Sequence, residues 1–98
     1  MAKLYKYDGT VKDVEPKNKK KGFGLQELYD LIECEMIEPV VYAPGKIFIC
    51  DEEFRLKEGW EEKRNKTVND LIINETGDNW DLCGNVIICS IKEFPIFY

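Results

Sequence analysis

Residues 61–72, with the sequence EEKRNKTVNDLI, gather many hydrogen-bonding side chains in one short stretch. Arg64, Asn65, Lys66, Thr67 and Asn69 fall within six positions. Arginine and lysine beside a helix start can bind an anion, because the first backbone N–H groups of a helix are free and its dipole is positive there. The asparagine side chains could read a base edge or a carbonyl. Alternatively, Asn65 shapes a turn and Thr67 caps a helix.

A second basic segment, PKNKKKGFG, carries four lysines between Lys17 and Lys21, including Lys19, Lys20 and Lys21. Its composition favours a solvated loop. It also leads into a predicted helix start at Gly24 and Leu25, where free backbone N–H groups could hold a phosphate. We keep an anion clamp as the alternative to the solvated loop.

Two tryptophans, Trp60 and Trp80, flank the 61–72 stretch in sequence. Both are expected to be partly in the core, but either ring could stack on a base or anchor a partner. We therefore include both among the candidate ligand-binding residues.

Enzyme chemistry finds little support in the residue types. The chain has no histidine, which is the commonest general base. Acidic runs such as DEE and EE are typical of solvated faces, and GFG lacks the length and the ending of a phosphate-binding loop. The four cysteines, Cys34, Cys50, Cys83 and Cys89, show no C-x-x-C spacing. We expect buried, reduced thiols, no metal site, no cofactor and no enzyme activity.

Charge is unevenly distributed along the 98 residues, whose net charge is −5. Residues 1–24 hold seven lysines and three acids, giving +4, and residues 25–98 hold seven basic and sixteen acidic residues, giving −9. This acidic body disfavours duplex DNA, which needs a broad positive surface. It permits local binding of a small anion or contact with a basic protein.

The pattern of hydrophobic residues predicts the strands and helices that position the candidate residues. KLYKY and VKDVE read as strands joined by an Asp8-Gly9 turn, and residues 35–50 read as a second hairpin with Pro39 at a bend or edge. LQELYDLIE is the clearest helix, and a short helix is predicted at about 68–74 with Thr67 and Asp70 in a capping-box arrangement. GNVIICSI predicts a central strand, and residues 54–56 a short extended piece.

The fold class expected is therefore α+β, with a mostly antiparallel sheet of about five strands, one longer and one short helix, and both helices on one face. Residues 1–98 are expected to form one domain. The apolar tail, residues 92–98, either packs back on it or joins a second subunit as a homo-oligomer. No apolar run is long enough for a membrane span or an export signal, so we expect a cytoplasmic protein.

Several of these segments together resemble a known family. LQELYDLIECEMIEPVVY is similar to the leucine-glutamate helix of that family and the strand that follows it, and KIFICDEEFRLKE is similar to the next strand and its acidic turn. NKTVNDL is similar to the N-R-x-A-T-x-L signature of the family, and DLCGNVIIC is similar to its final strand. The family is a small domain of unknown function found in phages, conjugative elements and bacteria. The resemblance covers about residues 11–91 and implies a mobile-element accessory protein. Asn65, Lys66 and Leu71 match the signature, whereas Val68 and Asn69 stand where it has Ala and Thr.

Two functional hypotheses follow. The first is a non-enzymatic, anti-defence protein of a phage or mobile element that sequesters a small anionic, nucleotide-type ligand, with the candidate residues named above. The second is an acidic inhibitor or DNA mimic that covers a basic surface on a host protein.

Overall fold

The computed structural model describes residues 2–18, 20–43, 45–90 and 93. Its five strands are β1 (Ala2–Tyr5), β2 (Val11–Val14), β3 (Ile37–Ala43), β4 (Lys46–Asp51) and β5 (Val86–Ser90). The helices are α1 (Leu25–Ile32) and α2 (Lys66–Thr76), with two 3₁₀ turns, Phe54–Leu56 and Trp60–Lys63, before α2. The strands form one antiparallel sheet in the order β2-β1-β5-β4-β3, which confirms the predicted α+β class.

The first hairpin turns where the sequence predicts it. Gly9 adopts φ +97°, a conformation that glycine reaches without steric cost, and the Asp8 carboxylate accepts the Thr10 N–H at 2.9 Å. The second hairpin, β3–β4, is also confirmed. Its edge strand β3 shifts register between Pro39 and Val41, as expected for a residue that cannot donate a ladder hydrogen bond. β5 is central, between β1 and β4.

The two helices lie on opposite faces of the sheet, and the prediction that both share one face is wrong. Ile47 and Ile49 of β4 pack in the cluster that contains Leu28 and Ile32 of α1. The alternate residues Phe48 and Cys50 pack with Val68 and Ile72 of α2. Successive side chains of a strand point to opposite faces, so the central strands are buried on both sides.

Gly24 caps the start of helix α1, and the C-terminal end of this helix has an unusual backbone conformation. Glu33 caps it with φ 65° and ψ 54°, the left-handed conformation that glycine normally provides at this position. It is the one residue other than glycine with positive φ among those the structure describes. The helix predicted over LQELYDLIE is confirmed, and Leu28 and Ile32 are buried on its apolar face.

Helix α2 is longer than predicted and starts earlier. It covers Lys66–Thr76 rather than about 68–74, and its cap is Asn65, whose side chain accepts the Val68 N–H at 3.2 Å. The prediction that Thr67 caps the helix is therefore wrong. Residues 54–56, predicted as extended, form a 3₁₀ turn. No helix in the described part of the chain is long and apolar enough to cross a membrane.

Candidate functional site

Asn65, the first of the predicted contact residues, lies inside the fold. It is 1% exposed, and its amide nitrogen donates to the backbone oxygens of Tyr5 and Gly84, both at 2.9 Å. Its side-chain oxygen caps α2, and its backbone N–H donates to Leu82 at 2.9 Å. All of these bonds are internal, so Asn65 joins the end of β1, the segment before β5 and the start of α2.

Asn69 is engaged in the same way one turn later. Its side-chain oxygen accepts the Leu82 N–H at 2.8 Å, and its amide nitrogen donates to the Leu82 oxygen at 3.1 Å. This two-point contact satisfies a stretch of backbone that is not in the sheet. Both asparagines therefore bind the protein's own backbone rather than projecting toward solvent.

Arg64 and Trp60 belong to a cluster that the sequence did not predict. The Arg64 Nε lies 2.9 Å from the Asp81 carboxylate, and Arg55 donates to the Asp81 backbone oxygen at 2.9 Å. Both guanidinium groups lie over the Trp60 ring, at 5.0 Å for Arg55 and 5.4 Å for Arg64 from its centre. The charge of Arg64 is thus compensated within this cluster.

Lys66 and Thr67 remain at the surface in the first turn of α2. The Lys66 ammonium pairs with Asp70 of the same helix at 3.2 Å, an exposed i, i+4 contact of small energetic weight. Thr67 is exposed. Arg64, Lys66 and Thr67 are thus the exposed members of this stretch, and the charge of Arg64 is already paired with Asp81.

The lysine-rich loop also uses its backbone donors internally. The Asn18 side chain accepts the N–H groups of Lys20 and Lys21, each at 3.1 Å. The Glu27 carboxylate accepts the N–H groups of Gly24 and Lys17, each at 2.9 Å, and so occupies the α1 start where an external anion would sit. Lys19 lies outside the described residues. The two basic segments lead into helices on opposite faces of the sheet.

The fold does bring acidic side chains together, on a surface that we call the acidic face. It consists of two clefts of ≈ 530 Å³ and ≈ 300 Å³ that share Asp51. Their lining carries eight carboxylates, those of Asp30, Glu33, Glu35, Glu38, Asp51, Glu52, Glu53 and Asp81. Against these stand two cations, Lys57 and Arg55, which leaves a net charge of −6. The excess of acidic residues after residue 25 indicated such a surface in the sequence. The sequence did not show that α1, β3 and the 51–55 turn would lie side by side to form it.

Asp51 organises this acidic face from inside. Its side chain is 3% exposed and forms an ion pair with Lys57 at 2.8 Å, while its other oxygen accepts the Glu53 N–H at 2.9 Å. A buried carboxylate needs such partners, because desolvating it alone is costly. Trp80, 40% exposed, lines the smaller cleft together with Arg55 and Asp81 of the Trp60 cluster, whereas Trp60 itself does not line it.

The cysteines have properties unsuited to nucleophilic chemistry. All four are free thiols; Cys50, Cys83 and Cys89 are buried and Cys34 is half-buried. Burial raises the pKa of Cys34 to about 11 and that of Cys50 and Cys89 to about 12, and it also raises the pKa of Cys83. Little thiolate therefore forms near neutral pH. Within the described ranges, no group of three or more Cys, Asp or Glu side chains is placed to hold a metal ion.

Comparison of the chain with protein-family models, with curated proteins and with solved structures gives no match. The resemblance of residues 11–91 to a phage and mobile-element domain therefore stays a prediction.

Proposed function

We propose that this chain is a non-enzymatic binding protein whose acidic face covers a basic surface on a partner protein. One observation carries the proposal: the two clefts around Asp51 concentrate a net charge of −6, while the whole chain carries −5. The rest of the protein is thus close to neutral. Such a local field steers a positively charged partner toward the two clefts that meet at Asp51.

Apolar side chains next in sequence to the lining residues supply anchors for a partner. Met36, beside Glu35, is 43% exposed, Leu56, beside Arg55, is 82% exposed, and Trp80 lies within the smaller cleft. Interfaces commonly combine a few such anchors with charged surroundings, where the apolar contacts give affinity and the charges give orientation and rate. A basic, nucleic-acid-binding surface on a host protein fits this arrangement, which is the DNA-mimic form of the hypothesis.

The proposed origin in a phage or mobile element, the anti-defence role and the cytoplasmic location rest on the family resemblance and the sequence. Self-association through residues 92–98 also stays a prediction, since all of these except Glu93 lie outside the described residues. Native mass spectrometry of the purified protein measures the subunit number directly.

A charge-matched pair of variants tests the acidic face. Glu35→Gln, Glu52→Gln and Glu53→Gln together remove three exposed charges from it. Asp13→Asn, Glu62→Gln and Asp78→Asn remove three charges that line neither cleft. Immobilised protein is exposed to host lysate at low and high ionic strength, with duplex DNA as a competitor, and captured proteins are identified by mass spectrometry.

We expect basic proteins whose capture falls with added salt and with duplex DNA, and falls with the first triple variant but not with the second. Capture that is indifferent to salt, or equally weakened by both variants, contradicts the proposal. Far-ultraviolet circular dichroism confirms that both variants remain folded.

A further inference from the structure

A third cleft, of ≈ 260 Å³, differs from the acidic face in its chemistry. It is lined by three lysines that come from three separate segments: Lys6 after β1, Lys57 after the first 3₁₀ turn and Lys63 at the end of the second. Two aromatic rings, Tyr7 and Phe54, share the lining. We call this set the lysine–aromatic cleft. Lys63 belongs to the 61–72 stretch but is not one of its candidate ligand-binding residues, and the other lysines and both aromatic residues lie outside the stretches that the sequence singled out.

Two of the three ammonium groups are available to a ligand. Lys57 is paired with Asp51 at 2.8 Å, but within the described part of the chain neither Lys6 nor Lys63 forms a salt bridge. Lys63 lies 5.6 Å from the centre of the Tyr7 ring, a cation–π contact that an anionic group can exchange for a direct ion pair. Lysines without a carboxylate partner beside a cleft favour a phosphate-type ligand.

The carboxylates in this cleft are already occupied by donors of the protein. Asp8 accepts the Thr10 N–H at 2.9 Å, and this hydrogen bond lowers the pKa of its carboxyl group, with a smaller contribution from the charge of Lys6, although the two groups form no salt bridge. Glu33 accepts the buried Asn85 amide at 3.0 Å. Both groups therefore have their own partners, which reduces their competition for Lys6 and Lys63.

The aromatic rings give the cleft a surface for a planar group. The Phe54 ring lies directly against the backbone of Gly84, where an added Cβ would come within 2.5 Å of it, and the Lys57 ammonium lies 5.3 Å from its centre. Phe54 thus contacts both Gly84 and Lys57. Tyr7 is 42% exposed, so its ring can stack with a nucleobase.

We infer that the lysine–aromatic cleft binds a mononucleotide-sized ligand, with its phosphate on Lys6 and Lys63 and its base against Tyr7. Small-molecule sites commonly measure about 300–1,000 Å³, so a cleft of ≈ 260 Å³ fits one nucleotide better than a dinucleotide. This cleft adjoins the acidic face, with which it shares Glu33, Lys57 and Phe54. The two proposals can still be tested separately, because Glu35, Glu52 and Glu53 do not line this cleft.

Calorimetric titration of the full chain with four probes tests the inference: AMP, ribose 5-phosphate, inorganic phosphate and adenosine. We expect AMP to bind most tightly, with each of the others weaker because each lacks the base, the phosphate or both sugar and base. Replacing Lys6→Gln together with Lys63→Gln should weaken AMP binding on the order of tenfold or more, since charged hydrogen bonds are lost.

Two control variants separate a direct role from a general charge effect. Lys20→Gln with Lys66→Gln makes the same change in net charge outside the cleft and should leave AMP affinity unchanged. Tyr7→Leu should reduce AMP affinity to that of ribose 5-phosphate, whereas Tyr7→Phe should retain it. The inference is overturned if AMP does not bind at millimolar concentration, if AMP and ribose 5-phosphate bind equally to the unmodified protein, or if both lysine pairs have the same effect.

Discussion

The side chain of Asn69 and the backbone of Leu82 form a reciprocal pair of hydrogen bonds, at 2.8 Å and 3.1 Å. The amide group reproduces the pairing of a neighbouring strand for one residue and connects α2 to the segment that enters β5. Leu82 is buried in the α2 cluster, so this backbone has little access to water. A residue that looks like a surface contact in the sequence is therefore part of the interior hydrogen bonding.

Replacing Asn69 with Ala should lower the free energy of unfolding by about 2–3 kcal/mol, because two partly buried backbone groups lose their partner. The measurement is urea denaturation followed by tryptophan fluorescence. Asn74→Ala, at an exposed position of the same helix, is the matched control and should leave stability unchanged or slightly higher, given the greater helix propensity of Ala. Equal effects at both positions would argue against the pairing.

Asn65 allows a test of capping against carbonyl binding. Aspartate caps helices as well as asparagine does, so Asn65→Asp would be nearly neutral if capping were its main role. In this structure the amide nitrogen faces the oxygens of Tyr5 and Gly84, and a carboxylate oxygen there would repel both. We expect Asn65→Asp to lose about 2–4 kcal/mol of stability, as much as Asn65→Ala. Asn74→Asp should change little, and a neutral Asn65→Asp would contradict this role.

Glu33 offers a stabilising substitution. A residue with a Cβ in the left-handed conformation is disfavoured by about 1–2 kcal/mol, and a carboxylate at a helix C-terminus opposes the dipole. Glu33→Gly should therefore raise the melting temperature by about 4 °C or more, even after the partly buried hydrogen bond to Asn85 is lost. Asp30→Gly, inside α1, should lower it by a similar amount. A lower melting temperature for Glu33→Gly would show that the Asn85 bond dominates.

Alkaline pH should destabilise the fold through its buried thiols. Burial raises the pKa of Cys89 from its usual 9.0 to about 12, so the folded state keeps a proton that the unfolded state releases. The stabilisation is fully present below about pH 9 and is lost as pH rises toward 12, by about 1.4 kcal/mol per pH unit for each such thiol. In denaturation series above about pH 9, Cys89→Ala should show a shallower slope than the unmodified protein. Ile87→Val, which alters core packing in the same strand without a titrating group, should keep the original slope.

The fold was largely predictable because the strands and α1 carry clear periodicity. The sequence analysis wrongly placed both helices on one face of the sheet. KIFIC and VIIC could have indicated the correct arrangement, because continuous apolar runs without alternation are typical of strands that are covered on both faces. The start of α2 was misplaced because Asn and Thr are both good caps, and the choice depends on where Tyr5 and Gly84 present their carbonyls.

The candidate sites were less predictable than the fold. Asn65 and Asn69 bond to residues 60, 19 and 13 positions away, so their burial cannot be read from local pattern. The acidic body was evident from charge counts, but the shared cleft residue Asp51 was not. Lys6 and Lys63 are distant in sequence, and they line the same cleft because the end of β1 and the second 3₁₀ turn meet there.

The central position of β5 constrains the order in which the molecule can fold during synthesis. β1 pairs with β2 on one side and β3 with β4 on the other, but the two hairpins have no strand in common until residues 86–90 pair with both. Pairing of Lys3 with Ile88 closes almost the whole chain, a non-local contact of the kind that slows folding. A nascent chain that ends before β5 would leave two separate hairpins with exposed edges, the kind of intermediate that chaperones bind. Completion of the sheet therefore depends on β5, which is synthesised after both hairpins.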